Sequence, residues 1–249
     1  MPDDLWIRIT HPNPQATVRL FCVPYAGGGS SVFRLWPQMM PTNVELGAFV
    51  FPGRENRRNE PPISDLKSLI EHMVQALIPY SDKPLTIFGH SMGSIVGYEL
   101  AKALEAQNIQ PAWLFVSGSA GPQVPDSVRT LHLLPDEQFI EALSKRYKAI
   151  PDVILNDKAL LGIMLPVLRA DIKLLETYAY EETPPLNCPI LACGSFADPE
   201  ATLQDITTWQ KHTRATFLSR MFPGDHFYLN NSERLLLGNC LTDILTKLA

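Results

Sequence analysis

One serine, one histidine and one aspartate stand out among 249 residues as groups whose types and order suit joint chemistry. Ser91 is the centre of Gly89-His90-Ser91-Met92-Gly93, a G-x-S-x-G pattern. A serine hydroxyl is a poor nucleophile until a base takes its proton, and a histidine base needs a third group to hold its tautomer. Around such a turn the acid and then the histidine follow the serine along the chain. Of the six histidines, His11 and His72 precede Ser91, and His90 adjoins it, with its ring expected on the other side of the turn. His132 falls in the stretch that reads as a helical lid, and His212 lies among polar neighbours before the last strand. His226, in a loop between the last strand and a closing helix, is therefore the expected base. Asp198, in the loop that ends the preceding strand, is the expected acid. Asp225 adjoins His226, which is poor geometry for an orienting bond, and Asp205 falls in a helix. The backbone N–H groups of Ala26 and Met92 are expected to face a developing oxyanion, because amides aimed there stabilise charge only as it forms.

These groups need particular elements to bring them together. Leu85–Phe88 is a short apolar run of strand formers, and from Met92 onward Ile95, Val96, Leu100, Ala103 and Leu104 fall on one helical face. Strand, tight turn and helix thus meet at Ser91, the context that makes the five-residue pattern informative. Arg19–Pro24 reads as a buried strand running into Tyr25-Ala26-Gly27-Gly28-Gly29-Ser30-Ser31, with a helix expected over about Val32–Met39. That glycine loop lacks the Lys-Ser/Thr of a P-loop and any G-x-G-x-x-G spacing. It suits a loop that turns backbone N–H groups toward a reacting oxygen, as in α/β-hydrolases.

Further strands are expected at Leu5–Ile9, Glu45–Phe51, Ala112–Ser117, Cys188–Gly194 and Ala215–Leu218. Helices alternate with them: one capped by Ser64 and ending at Leu77, one over Leu203–Trp209, and a last one capped near Asn231 or Ser232. This rhythm predicts an α/β fold with a doubly wound, mostly parallel sheet. Arg54, Arg57 and Arg58 read as a solvated loop. The rhythm breaks from Gly121 to about Pro185, where only helical stretches are found, at Pro135–Tyr147 and Lys158–Tyr180. The second carries two apolar lines, and Pro166 is expected to kink or divide it. Residues 1–249 are thus read as one α/β domain, with 122–184 as a helical lid insertion. Lys145, Arg146 and Lys148 form a small basic run on that lid, suited to an acidic partner or simply to solvent.

Composition narrows the function classes. Apolar residues at 45% and charged residues at 19% describe an ordinary globular chain, and a net charge of −5 argues against nucleic-acid binding. No signal peptide and no ~20-residue apolar span is found, so a cytoplasmic protein free of the membrane is expected. Cys22, Cys188, Cys193 and Cys240 are scattered without metal spacing and read as free thiols of a reducing compartment. A monomer is the default expectation.

Six motifs, taken in chain order, carry a resemblance. Pro24-Tyr25-Ala26-Gly27-Gly28, Phe51-Pro52-Gly53-Arg54-Glu55, Gly89-His90-Ser91-Met92-Gly93, Leu165-Pro166-Val167-Leu168-Arg169-Ala170-Asp171, Asp198-Pro199 and Phe222-Pro223-Gly224-Asp225-His226-Phe227 together resemble the type II thioesterases. These are stand-alone α/β-hydrolases that accompany polyketide and non-ribosomal peptide synthases, and they are similar to medium-chain fatty-acyl thioesterases. The resemblance implies hydrolysis of acyl groups from the phosphopantetheine thiol of acyl or peptidyl carrier proteins, including removal of stalled or misprimed units. It implies no metal and no organic cofactor. Two positions depart from the family: Gly29, where serine or alanine is common, and Asp225, where a second glycine is common. The first is expected to loosen the oxyanion loop, and the second to raise the pKa of the base. Two rival readings are a carboxylesterase or lipase-like enzyme with the same three residues and a non-catalytic acyl or carrier-protein binder. The complete Ser91, Asp198 and His226 set speaks against the binder.

Overall fold

The computed structural model of the chain describes residues 5–124, 130–147 and 157–248. Among them, seven strands form one sheet: β1 (Ile7–Arg8), β2 (Val18–Val23), β3 (Val44–Phe49), β4 (Leu85–His90), β5 (Trp113–Ser117), β6 (Ile190–Ser195) and β7 (Phe217–Phe222). Their spatial order is β1-β3-β2-β4-β5-β6-β7, with β1 antiparallel to β3 and every other pair parallel. Parallel strands are covered on both faces and so need apolar residues on both. β2 shows this: Phe21 and Val23 enter one core with Ile87 and Leu114, while Leu20 and Cys22 enter a second with Phe88 and Phe115. Helices α1 (Leu66–Leu77) and α2 (Met92–Glu105) cover the first face, and the C-terminal helix, α6 in chain order (Arg234–Leu245), covers the second. The chain leaves β2 for β3 on one side and returns to β4 on the other. The crevice at that reversal, at the carboxyl ends of the strands, is where open α/β sheets bind ligands.

Between β5 and β6 the chain forms a helical insert with α3 (Asp136–Tyr147) and α4 (Lys158–Glu176). Leu131, Phe139, Leu143, Leu165, Leu168 and Ile172 make its own small core. Arg169 binds it further, donating to the carbonyls of His132 and Leu134 with its guanidinium 4.4 Å from the Phe139 ring centroid. The apolar residues of α4 divide between two cores along its length rather than by line. Leu165, Leu168 and Ile172 face α3, whereas Leu174 is buried in the main core and Leu175 packs against it.

Several local expectations are corrected. The stretch Val32–Met39 is not one helix but two 3₁₀ turns, Ser30–Phe33 and Trp36–Met39, because Pro37 has no N–H to carry an α-helical ladder. Asp65 rather than Ser64 caps α1, accepting from the Ser68 N–H at 2.7 Å. Pro166 does not divide α4 into separate helices: the carbonyl it deprives of a partner belongs to Gly162, which is exposed to water. The last strand is Phe217–Phe222, so Met221 and Phe222 belong to the sheet, opposite Gly194 and Ser195. The helix after β6, α5 (Leu203–Thr207), is shorter than expected and passes into a 3₁₀ turn, Thr208–His212.

Candidate active site

Ser91 sits between β4 and α2 with φ 54° and ψ −117°, a strained conformation for a residue with a side chain. The glycines around it exist because backbones touch there. A Cβ on Gly89 would lie 1.9 Å from the Gly93 carbonyl oxygen, and one on Gly93 would lie 2.4 Å from that of Val23. The turn is anchored to β5: the Ser91 N–H donates to Ser117 O at 2.7 Å, and Ser94 Oγ donates to the carbonyls of Gly89 and Ser117.

The loops after β6 and β7 bring the other two groups in. Phe196 and Ala197 N–H groups donate to Phe222 O and Gly224 O, and Ser195 Oγ donates to Asp225 O, so the two loops are stitched together. His226 Nδ1 then lies 2.7 Å from Asp198 Oδ2, and His226 Nε2 lies 3.0 Å from Ser91 Oγ. Asp198 and His226 are buried while Ser91 remains partly accessible. Asp198 being the acceptor, Nδ1 carries the proton and leaves Nε2 bare toward the serine hydroxyl. An imidazole so placed can take that proton, and the carboxylate stabilises the resulting charge. The backbone N–H of Met92 opens α2 and has no carbonyl one turn back. Among the described residues, neither it nor the Ala26 N–H donates to a protein acceptor. A cavity of about 650 Å³ opens beside Ser91 and His226, walled by Ile95 of α2 and by Leu175, Tyr178 and Tyr180 at the end of the insert. Arg146 of α3 and Glu200 also line it, paired at 2.7 Å.

Sequence reasoning passed over several groups that matter here. His90 does not simply point away: its ring centroid is 5.1 Å from that of His226, and its Nδ1 lies 2.9 Å from Ser117 Oγ, which also meets the Tyr228 hydroxyl. Burial, and then the neighbouring His226, hold His90 well below the usual histidine range, so it stays neutral beside the His226 ring. His212, for all its polar sequence neighbours, is buried among Tyr98, Trp209 and Tyr180, where its ring nitrogens meet the Tyr98 hydroxyl and Gln123 Oε1, and burial lowers its pKa to about 4. The arginine cluster is not a solvated loop. Arg54 and Arg57 are buried, Arg57 against the Trp6 ring and the Val50 carbonyl, and only Arg58 is exposed. At Gly29 a Cβ would lie 2.7 Å from Glu55 Oε1, which holds Ser31 N–H. Asp225 is exposed and its carboxylate accepts the Phe227 N–H. Of the basic run, Arg146 is engaged by Glu200, Lys145 is exposed, and Lys148 lies outside the described residues. Among the described residues, no three His, Cys, Asp or Glu side chains gather as a metal site, and no helix is long and apolar enough to cross a membrane.

A mostly parallel sheet with a serine on a strained strand-to-helix turn defines an α/β-hydrolase. Residues 18–246 match the thioesterase domain family, and the chain belongs to it: it is an enzyme that hydrolyses thioesters. It is 39% identical over 229 residues to the gramicidin S biosynthesis protein GrsT of Aneurinibacillus migulanus, covering 92% of this chain and 89% of that protein. The RedJ thioesterase from the prodiginine biosynthetic pathway in Streptomyces coelicolor has a similar structure, with TM-score 0.86 and 34% identity over 95% of this chain and 90% of that one. The type II thioesterase BorB from the borrelidin biosynthetic cluster gives a TM-score of 0.87 at 31% identity, covering 99% and 98% of the two chains. The resemblance to type II thioesterases drawn from the motifs is therefore shown.

Proposed function

We propose that this thioesterase removes acyl groups from the phosphopantetheine thiols of acyl or peptidyl carrier proteins, clearing stalled or misprimed units in polyketide or non-ribosomal peptide synthesis. The hydrogen-bonded line from Asp198 through His226 to Ser91, ending at a cavity roomy enough for an acyl chain, carries this reading. Type II thioesterases of biosynthetic clusters among its relatives support the choice of substrate.

In this mechanism Ser91 Oγ attacks the thioester carbonyl while its proton passes to His226 Nε2. The oxyanion is held by the N–H groups of Ala26 and Met92. Collapse expels the thiol, which takes the proton from the imidazolium, and leaves an acyl-serine. Water, giving its proton to His226, attacks the ester next, and the acid leaves as Ser91 regains a proton. A thiol is a good leaving group, so positioning and oxyanion stabilisation weigh more than protonation of sulfur. The insert covers the acyl chain as a lid. The enzyme acts as a monomer in the cytoplasm, where carrier proteins are loaded.

Hydrolysis of a panel of acylated carrier proteins, with Ser91→Ala as control, tests this. The expected result is turnover of carrier-bound thioesters, lost by about 10⁶-fold in Ser91→Ala, with an oxygen ester of equal chain length cleaved more slowly. Faster cleavage of the oxygen ester, or turnover that survives loss of Ser91, would overturn it.

A further inference from the structure

The loop that carries Ala26 is held by side chains from two remote parts of the chain. Gly27 N–H donates to Asp171 Oδ2 at 2.8 Å, and the next carbonyl, Gly28 O, accepts from Arg54 Nη1 at 2.8 Å. Arg54 and Asp171 are joined to each other by two parallel bonds, Nη2 to Oδ1 at 2.8 Å and Nη1 to Oδ2 at 3.0 Å. They are 8% and 2% exposed, so this is a buried ion pair and not a surface one. Glu55 continues the clamp, accepting from Ser30 Oγ at 2.6 Å and Ser31 N–H at 2.9 Å.

Mere adhesion does not explain a buried pair, since well-packed apolar residues of similar volume often hold two elements together equally well. What an apolar pair cannot do is accept from one loop amide and donate to the adjacent carbonyl. Those two backbone groups belong to an irregular turn with Gly27 at φ 75°, where no sheet ladder is available to fix their direction. Asp171 rides on α4, in the middle of the insert. One turn earlier on α4, Leu168 presses on the loop so closely that a Cβ on Gly27 would lie 2.5 Å from its Cδ2. The seat of α4 and the course of the backbone immediately after Ala26 are therefore one mechanical unit.

We infer that Arg54 and Asp171 are positioning residues that aim the Ala26 N–H at the oxyanion, and that Asp171 makes this aim depend on the seat of the insert's long helix. The inference rests on the mechanism proposed above. The pair touches neither Ser91 nor the acyl group; it acts through Gly27 and Gly28.

The test uses Asp171→Asn and the double replacement Arg54→Met with Asp171→Leu, which strands no buried charge. Two ligands separate aim from shape. An alkylboronic acid forms a tetrahedral adduct on Ser91 with an oxygen where the oxyanion would stand, whereas the thioether analogue of the substrate has no carbonyl. The double variant is expected to lose about 100-fold in kcat and a similar factor in boronate affinity, the scale of one lost oxyanion donor. KM and thioether affinity should stay within about twofold, as expected when only a transition-state interaction is lost. Asp171→Asn keeps an acceptor for Gly27 and should fall between the two, and it decides the question by the same comparison if the double variant does not fold. A kcat within about threefold of the parent, or boronate and thioether affinities that fall in parallel, would overturn the inference. Failure of the underlying mechanism shows elsewhere, as a parent enzyme that binds no boronate or a Ser91→Ala variant that still turns over.

Discussion

In the proposed mechanism His226 serves as a base in one tautomer only, and the 2.7 Å contact of its Nδ1 with Asp198 Oδ2 selects that tautomer. An amide in place of the carboxylate keeps the shape but can hold the ring the wrong way round. Asp198→Asn is therefore expected to lower kcat by about 10⁴-fold with little change in KM, measured by steady-state hydrolysis of an acyl thioester. His90 shows the opposite requirement. A second positive charge 5.1 Å from the base would oppose formation of the imidazolium, and full burial keeps His90 neutral. The order Ser91, Asp198, His226 was legible in the chain because the fold sets it. The neighbourhood of His90 was not, since it depends on how the β7 loop lies over the end of β4.

The turn after β4 works because two backbones share one small space. Gly89→Ala puts a methyl 1.9 Å from the Gly93 carbonyl oxygen, so α2 would have to leave the sheet. That change is expected to remove more than ~4 kcal/mol of stability or to give no folded protein, read by urea unfolding. Asp65→Ala makes a useful contrast. It deletes only the α1 cap, one exposed hydrogen bond to Ser68 N–H, and should cost about 1 kcal/mol in the same measurement. The periodicities at these elements were readable locally, including the change of period at Ser91. Cap identity and the path through Pro166 were not, because each turns on one or two bonds that several neighbouring residues could supply.

Stability of the whole molecule should carry the mark of its buried histidines. The pKa of His212 is lowered to about 4 by burial, with Lys102 and Lys211 adding to it, and that of His90 is also lowered. In the unfolded chain both take a proton near pH ~6.5. Below that value the unfolded state binds more protons than the folded one, so stability falls with falling pH. The contribution of His212 is fully present above pH ~6.5 and is lost as pH drops through about 4. The urea midpoint should therefore fall between pH ~6.5 and ~4.5, and fall less steeply in His212→Asn. A slope unchanged by that substitution would mean that His212 takes up its proton in the folded protein at the same pH as in the unfolded chain.

By itself the chain determined the strand–helix alternation and the place of Ser91 on its turn, and it singled out Asp198 and His226, which the structure brings into one hydrogen-bonded line with Ser91. Those follow from short-range sterics and from side-chain period, which any stretch of ten or so residues displays. Only the tertiary structure decided which buried charges meet. Arg54 read as a solvated loop residue, and the acid that claims it lies 117 residues away on a helix of the insert. Asp171 entered only as the end of the Leu165–Asp171 motif, which named no partner for it, since one acidic residue on a helix looks the same whether it faces water or a glycine loop. Such pairings arise when separate elements are packed, and no local pattern encodes them.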